Sequence, residues 1–116
     1  MNQEIKKAWV AALRSGDYQQ GVGLLHYKKD GQDKYCCLGV LCELAVGGGV
    51  IPAGQLNADG QYQYNNSLYM PSSIVLDWAG LQSDDVIIHQ INDTLANHND
   101  AGRTFLEIAT AIEEQL

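Results

Sequence analysis

The stretch Tyr35-Cys36-Cys37-Leu38-Gly39-Val40-Leu41-Cys42-Glu43-Leu44-Ala45 decides the architecture. At helical spacing, Cys37, Val40, Leu41 and Leu44 share one face, and Leu38, Cys42 and Ala45 share another. A helix apolar on nearly all sides is a buried helix. Free cysteine behaves there as a small hydrophobe. The segment 36–46 is therefore expected as the central core helix, ended by Gly47-Gly48-Gly49, since glycine takes a left-handed cap without strain.

Working outward, Ile5, Ala8, Trp9, Ala12 and Leu13 predict an amphipathic first helix, stopped by Gly16. Asp30-Gly31 predicts a hairpin, with 21–29 leading in and 32–36 returning into the cysteine helix. Residues 50–60 read as loop. Asn65-Asn66 predicts a second hairpin between 61–64 and 67–70, because asparagine tolerates positive φ. A short helix follows Pro71, with Ile74, Val75, Trp78 and Ala79 inward and Gly80 closing it. Val86-Ile87-Ile88 fits a strand or a buried turn, and 92–98 fits one or two helical turns; 84–99 stays open between strand and helix. Thr104-Phe105-Leu106-Glu107 is a capping box, and Phe105, Ile108, Ala109 and Ile112 form the stripe of a last helix. Glu113 and Glu114 sit near its C-terminal end, where the dipole disfavours them and the tail is expected to fray. The reading is one α+β domain over 1–116: about four helices packed around two short antiparallel β-hairpins, with a buried central cysteine-containing helix.

Charge narrows the partners. The formal net charge is −7. Residues 1–34 set Lys6, Lys7, Arg14, Lys28, Lys29 and Lys34 against Glu4, Asp17, Asp30 and Asp33, a net +2. The rest carries only Arg103 against ten acids, a net −9. Such a chain is a poor nucleic-acid binder, because that affinity comes mainly from neutralising phosphates. A local basic pocket can still hold one small anion. No run reaches the roughly 18 apolar residues of a membrane span. The N-terminus lacks the apolar core of a signal peptide, and the odd, adjacent cysteines suit reduced thiols. A cytosolic location is expected.

Three Cys and three His raise a metal site, but Cys-Cys-x4-Cys is not zinc spacing, and His26, His89 and His98 stand alone. Side chains adjacent on a helix diverge by about 100°. No metal and no cofactor is expected. Cys36 and Cys37 near a helix N-terminus raise a thiol nucleophile, against buried packing as the alternative. Asp84-Asp85 and Glu113-Glu114 are the acidic doublets, read as solvated decoration.

An anion pocket is the stronger candidate. Arg14 ends the first helix. Arg103 and Thr104 open the last one, where backbone N–H groups favour an anion. Arg103 also fits a plain solvent-facing position. Tyr62, Tyr64 and Tyr69 lie among Gln and Asn, suited either to stacking a planar base or to packing a half-buried sheet face. Asn97 and Asn99 would read polar edges. These eight residues are the candidate ligand-binding set; no residue is assigned a catalytic role.

The run Trp9-x-x-Ala12-Leu13-Arg14-Ser15-Gly16-x-Tyr18-x-Gln20-Gly21, then Tyr35-Cys36-Cys37-Leu38-Gly39-Val40-Leu41-Cys42, Pro71, Trp78-Ala79-Gly80-Leu81, and Asn99-Asp100-x-Gly102-x-x-Phe105-x-x-Ile108-Ala109-x-x-Ile112-Glu113 resembles a group of small uncharacterised proteins encoded by tailed bacteriophages and some bacterial genomes. The likeness implies a phage or prophage accessory protein acting in a host bacterial cytoplasm. It carries no assigned catalytic residues, and residues 50–70 have no counterpart in it. The expected function is a non-enzymatic homo-oligomeric sponge for a small anionic, nucleotide-like host immune signal. The alternatives are a protein–protein inhibitor of a host defence factor and a thiol-dependent hydrolase. No nucleic-acid or membrane partner is expected.

Overall fold

A computed structural model describes residues 1–81, 87–88 and 93–116. Helix α1 (Gln3–Arg14) starts at Asn2, whose side-chain oxygen accepts from the N–H groups of Glu4 and Ile5. That satisfies two of the donors a helix start leaves open. Trp9, Val10 and Leu13 are its buried residues. Ala8 faces solvent, so the inward stripe is turned slightly from the one expected.

Strands β1 (Gln19–Gln20), β2 (His26–Lys29) and β3 (Gln32–Tyr35) form one sheet in the order β1-β3-β2. Asp30 and Gly31 both take positive φ, 53° and 76°, as the predicted two-residue turn requires. That turn sets His26 opposite Tyr35 and Lys28 opposite Asp33. The parallel pairing of β1 with β3 was not anticipated.

Helix α2 (Cys37–Gly47) is the expected core helix. Cys37, Leu38, Gly39, Val40, Leu41, Cys42 and Ala45 are all buried. Gly49 takes the left-handed conformation just beyond its end. The β2–β3 hairpin and α2 meet at Cys36, whose N–H donates to the Leu25 carbonyl.

The second hairpin differs from its prediction. β4 (Gln55–Leu56) pairs antiparallel with β5 (Tyr62–Gln63), so the presumed loop 50–60 supplies a strand. Asn65 and Asn66 do adopt positive φ, yet the turn closes only one bridge, Tyr64 to Ser67. Segment 67–70 is claimed elsewhere: the Leu68 carbonyl accepts from Leu25 N–H.

Helix α3 (Ser73–Ala79) ends on left-handed Gly80 and buries Val75, Leu76 and Ala79. Ile74, expected inside, is about half exposed. Two residues of strand, β6 (Ile87–Ile88), pair with β7 (Asp93–Thr94), followed by the six-residue helix α4 (Leu95–Asp100). The described part of 84–99 thus holds both strand and helix. Val86 and Asn92 lie outside the described residues, as do Asp84-Asp85 and His89. Helix α5 (Phe105–Gln115) carries the complete Thr104–Glu107 capping box and buries the predicted Phe105, Ile108, Ala109 and Ile112. Its helical conformation continues through both terminal glutamates, and Glu113 meets the Arg14 guanidinium at 3.0 Å. A cation there offsets the dipole penalty. The fold is α+β, with α2 packed against α1, α3 and α4, and α1 against α5.

Candidate functional site

The hairpin register puts His26 at the seam between β2 and β5. Its imidazole is sandwiched between two phenol rings: Tyr35 at 4.1 Å between centroids and Tyr62 at 3.8 Å, the latter almost parallel. Both nitrogens are engaged. Nδ1 lies 2.8 Å from the Tyr64 hydroxyl, and Nε2 lies 2.9 Å from the Asp33 carboxylate. An ionised carboxylate only accepts, so Nε2 carries the proton and Nδ1 accepts from Tyr64 O–H. Burial is the largest influence on His26 and holds its pKa below the ordinary value, against the opposing pull of Asp33. Hydrogen bonding from His26 lowers Asp33, helped by Lys28 at 3.5 Å. Burial, with Glu43 nearby, raises Tyr64 and Tyr35, so both phenols stay protonated. Both faces are covered and both nitrogens are bonded within the fold, so a substrate has no open approach to this imidazole. It joins elements; it does not serve as a free base.

A second feature lies on α1. Gln3, Lys6, Lys7, Val10, Ala11 and Arg14 form one wall of a groove of about 540 Å³ completed by Glu113 of α5. These positions recur at three- and four-residue spacing, so one helix face carries all three cations. Arg14 is tied to Glu113 and donates to the Thr110 hydroxyl at 3.4 Å. Among the described residues, no ion pair reaches Lys6 or Lys7.

A family model described as a domain of unknown function (DUF8296) matches residues 1–116. The chain belongs to the DUF8296 family. No curated protein and no solved structure matches it significantly.

In this DUF8296 chain the eight candidate ligand residues fall in several places. Tyr62 and Tyr64 meet at His26, with Tyr64 in the interior. Tyr69 is exposed on the segment beyond. Asn97 sits on the exposed side of α4. Asn99 is fully buried: its amide donates to Gly21 O at 2.7 Å and accepts from Cys37 N and from Gln20. It reads backbone inside the fold. Arg103 is exposed beside Glu107 at 3.8 Å, and the Thr104 hydroxyl caps α5. Arg14 lines the groove on α1. Glu107 and Glu113, the partners of Arg103 and Arg14, stand six residues apart on α5, roughly 9 Å of helix rise. The two guanidinium groups serve different neighbourhoods.

Sequence reading treated His26 as solitary and passed over Gln20. Gln20 donates to Arg103 O at 2.6 Å and accepts from Phe105 N, tying β1 to the start of α5. The sequence signal for His26 was the Asp30-Gly31 turn itself, which fixes Tyr35 across from it.

The three thiols of the DUF8296 fold are buried and unpaired with one another. Burial pushes Cys36 up to about 11 and raises Cys37 and Cys42 as well. The helix N-terminus would lower a thiol exposed to it, but desolvation wins here. Cys37 instead contributes its carbonyl, which accepts from the Trp9 indole N–H at 2.9 Å. Among the described residues, no three His, Cys, Asp or Glu side chains converge as metal ligands, and no helix is long and apolar enough to cross a membrane.

Proposed function

We propose that the chain is a non-enzymatic binder of a small anionic, nucleotide-like ligand, seated in the groove between α1 and α5. One observation carries this reading. Lys6, Lys7 and Arg14, three of the seven basic side chains in a chain of net charge −7, line a single groove whose floor includes buried Val10. The groove volume of about 540 Å³ lies in the range of small-molecule sites. Its mixed lining suits a ligand with a charged end and a flatter, less polar body. An incoming phosphate would compete with Glu113 for Arg14 while Lys6 and Lys7 add attraction. Such exposed contacts weaken with salt.

In the phage setting that the sequence resemblance implies, the role is sequestration of a host nucleotide signal. A homo-oligomer would wall in a groove that one copy leaves open. The sealed, protonated thiols weigh against the thiol-hydrolase alternative.

Calorimetry of the full chain against mononucleotides, ADP-ribose derivatives and cyclic dinucleotides tests the reading, with native mass spectrometry for subunit count. The expected result is one class that binds, loses at least about tenfold affinity in Lys6→Glu/Lys7→Glu, and weakens between about 0.05 and 0.3 M salt. No binding across the panel overturns it. Stoichiometric capture of one host protein instead would move the chain to a protein–protein inhibitor acting through its acidic residues.

A further inference from the structure

We propose that segment 54–70 is held against the sheet by a proton-sensitive clasp at His26, and that protonation of this imidazole lifts the segment away. The inference is independent of the α1 groove.

Four contacts fasten the segment beside the Tyr27–Gln61 bridge. Lys28 N–H donates to Gly60 O at 2.7 Å, and Leu25 N–H donates to Leu68 O at 2.9 Å. The Tyr62 ring covers one face of His26, and the Tyr64 hydroxyl meets Nδ1. Two of the four run through one titratable ring. The groups facing that ring come from every neighbouring element. Asp33 and Tyr35 stand on β3 and Lys28 on β2 itself. Glu43 stands on α2, and Tyr62 and Tyr64 belong to the segment.

In the neutral state the bonding is consistent: Nε2–H donates to Asp33 and Nδ1 accepts from Tyr64. A second proton enters at Nδ1. That nitrogen then has to donate, so the Tyr64 hydroxyl must turn, and Glu43 is the acceptor near it. A full positive charge also arrives in a ring covered on both faces. Asp33 and Glu43 offset part of that cost, but burial outweighs them. Lifting the segment uncovers one face and Nδ1 to water, which the imidazolium prefers. By linkage, the form that takes the proton more readily gains population as pH falls. Tyr64 leaves the buried core when the segment lifts, while the packing of α1, α2 and α5 on one another is not part of the clasp, so the opening is local.

Amide hydrogen exchange on the full chain tests this, alongside NMR titration of the His26 ring between about pH 7.5 and 5. Rates are compared after correction for intrinsic exchange. The expected result is a loss of protection of about tenfold or more at the amides of Leu25 and Lys28, which bond to the segment, its midpoint matching the His26 titration. Val40 and Ile108 keep their protection. In His26→Phe, which retains a stackable ring, the pH effect vanishes. Should that variant not fold, coincidence of the two midpoints in the wild-type chain decides. Unchanged protection through the His26 midpoint overturns the proposal, as does a loss shared equally by Val40 and Ile108.

Discussion

A methyl group placed on the Gly39 Cα would lie 1.7 Å from the Leu25 carbonyl oxygen. Backbone meets backbone here, with α2 pressed against the chain that leads into β2. The Leu25 carbonyl is also the acceptor for Cys36 N–H, so it cannot retreat without breaking the bond that holds the N-cap residue of α2. Gly39→Ala is therefore expected to cost about 3 kcal/mol or more, or to prevent folding. Gly47, in the last turn of the same helix, has nothing within 4 Å of such a methyl. Gly47→Ala is expected to be neutral or stabilising by up to about 1 kcal/mol. Urea unfolding of the pair separates a packing constraint from helix propensity.

Asn99 ties α4 to the backbone at Gly21 and Cys37 from a fully buried position. Asn99→Leu removes the amide and leaves Gly21 O and Cys37 N without their buried partner. A loss of about 3 kcal/mol is expected. Asn99→Asp keeps the acceptor but replaces the donor to Gly21 O with a buried negative charge, and should be at least as damaging. Denaturant midpoints check both. A near-neutral Asn99→Leu would contradict the structural role.

The thiols should be silent in the native state. Cys36, Cys37 and Cys42 are buried, and burial raises all three pKa values. A disulfide-exchange reagent at mildly alkaline pH is expected to label none of them on the timescale that labels free cysteine, and all three after unfolding in guanidinium. Prompt labelling of one thiol in folded protein would revive it as a reactive group.

Stability should carry a His26 signature. Its folded pKa lies below 6.5, so the unfolded chain takes up the proton first. That contribution is whole above pH 6.5 and declines as pH falls from there toward the folded value. Asp33, lowered from 3.8, adds stability that is lost only at still lower pH, through its own folded pKa. Relief of repulsion among surplus carboxylates runs the opposite way, but equally in a variant. The urea midpoint of the wild-type chain minus that of His26→Phe is expected to shrink between pH 7 and 5. A constant difference would mean that His26 has the same pKa in the folded chain as in the unfolded one.

The legible parts of the fold are those that short-range chemistry decides. Asp30-Gly31 can hardly be anything but a two-residue turn, and its register follows. Thr104 and Glu107 cap a helix whatever surrounds them. Asn65-Asn66 carried the same kind of local signal and was half right: the turn forms, but Leu68 bonds to Leu25 and leaves the second strand to Gln55 and Leu56. In α3, seven residues give too few turns to fix which side faces in, so Ile74 was misplaced. The candidate site was read less well. Tyrosines and asparagines look alike in sequence whether they await a ligand or serve a buried neighbour, and Tyr64 and Asn99 proved to be the latter.

By itself the sequence determined the α+β class, the buried cysteine helix, the first hairpin and the capped last helix. Each follows from periodicity or from backbone conformations that few residues tolerate. Tertiary structure alone decided that His26 sits between Tyr35 and Tyr62 with Tyr64 and Asp33 on its nitrogens, that Gln20 and Asn99 bind backbone, and that Lys6, Lys7 and Arg14 share a groove with Glu113. Partners such as Tyr64 for His26, 38 residues away, are chosen by which surfaces pack together. Only the folded core sets that geometry, because each such contact must offset the entropy of bringing distant chain together.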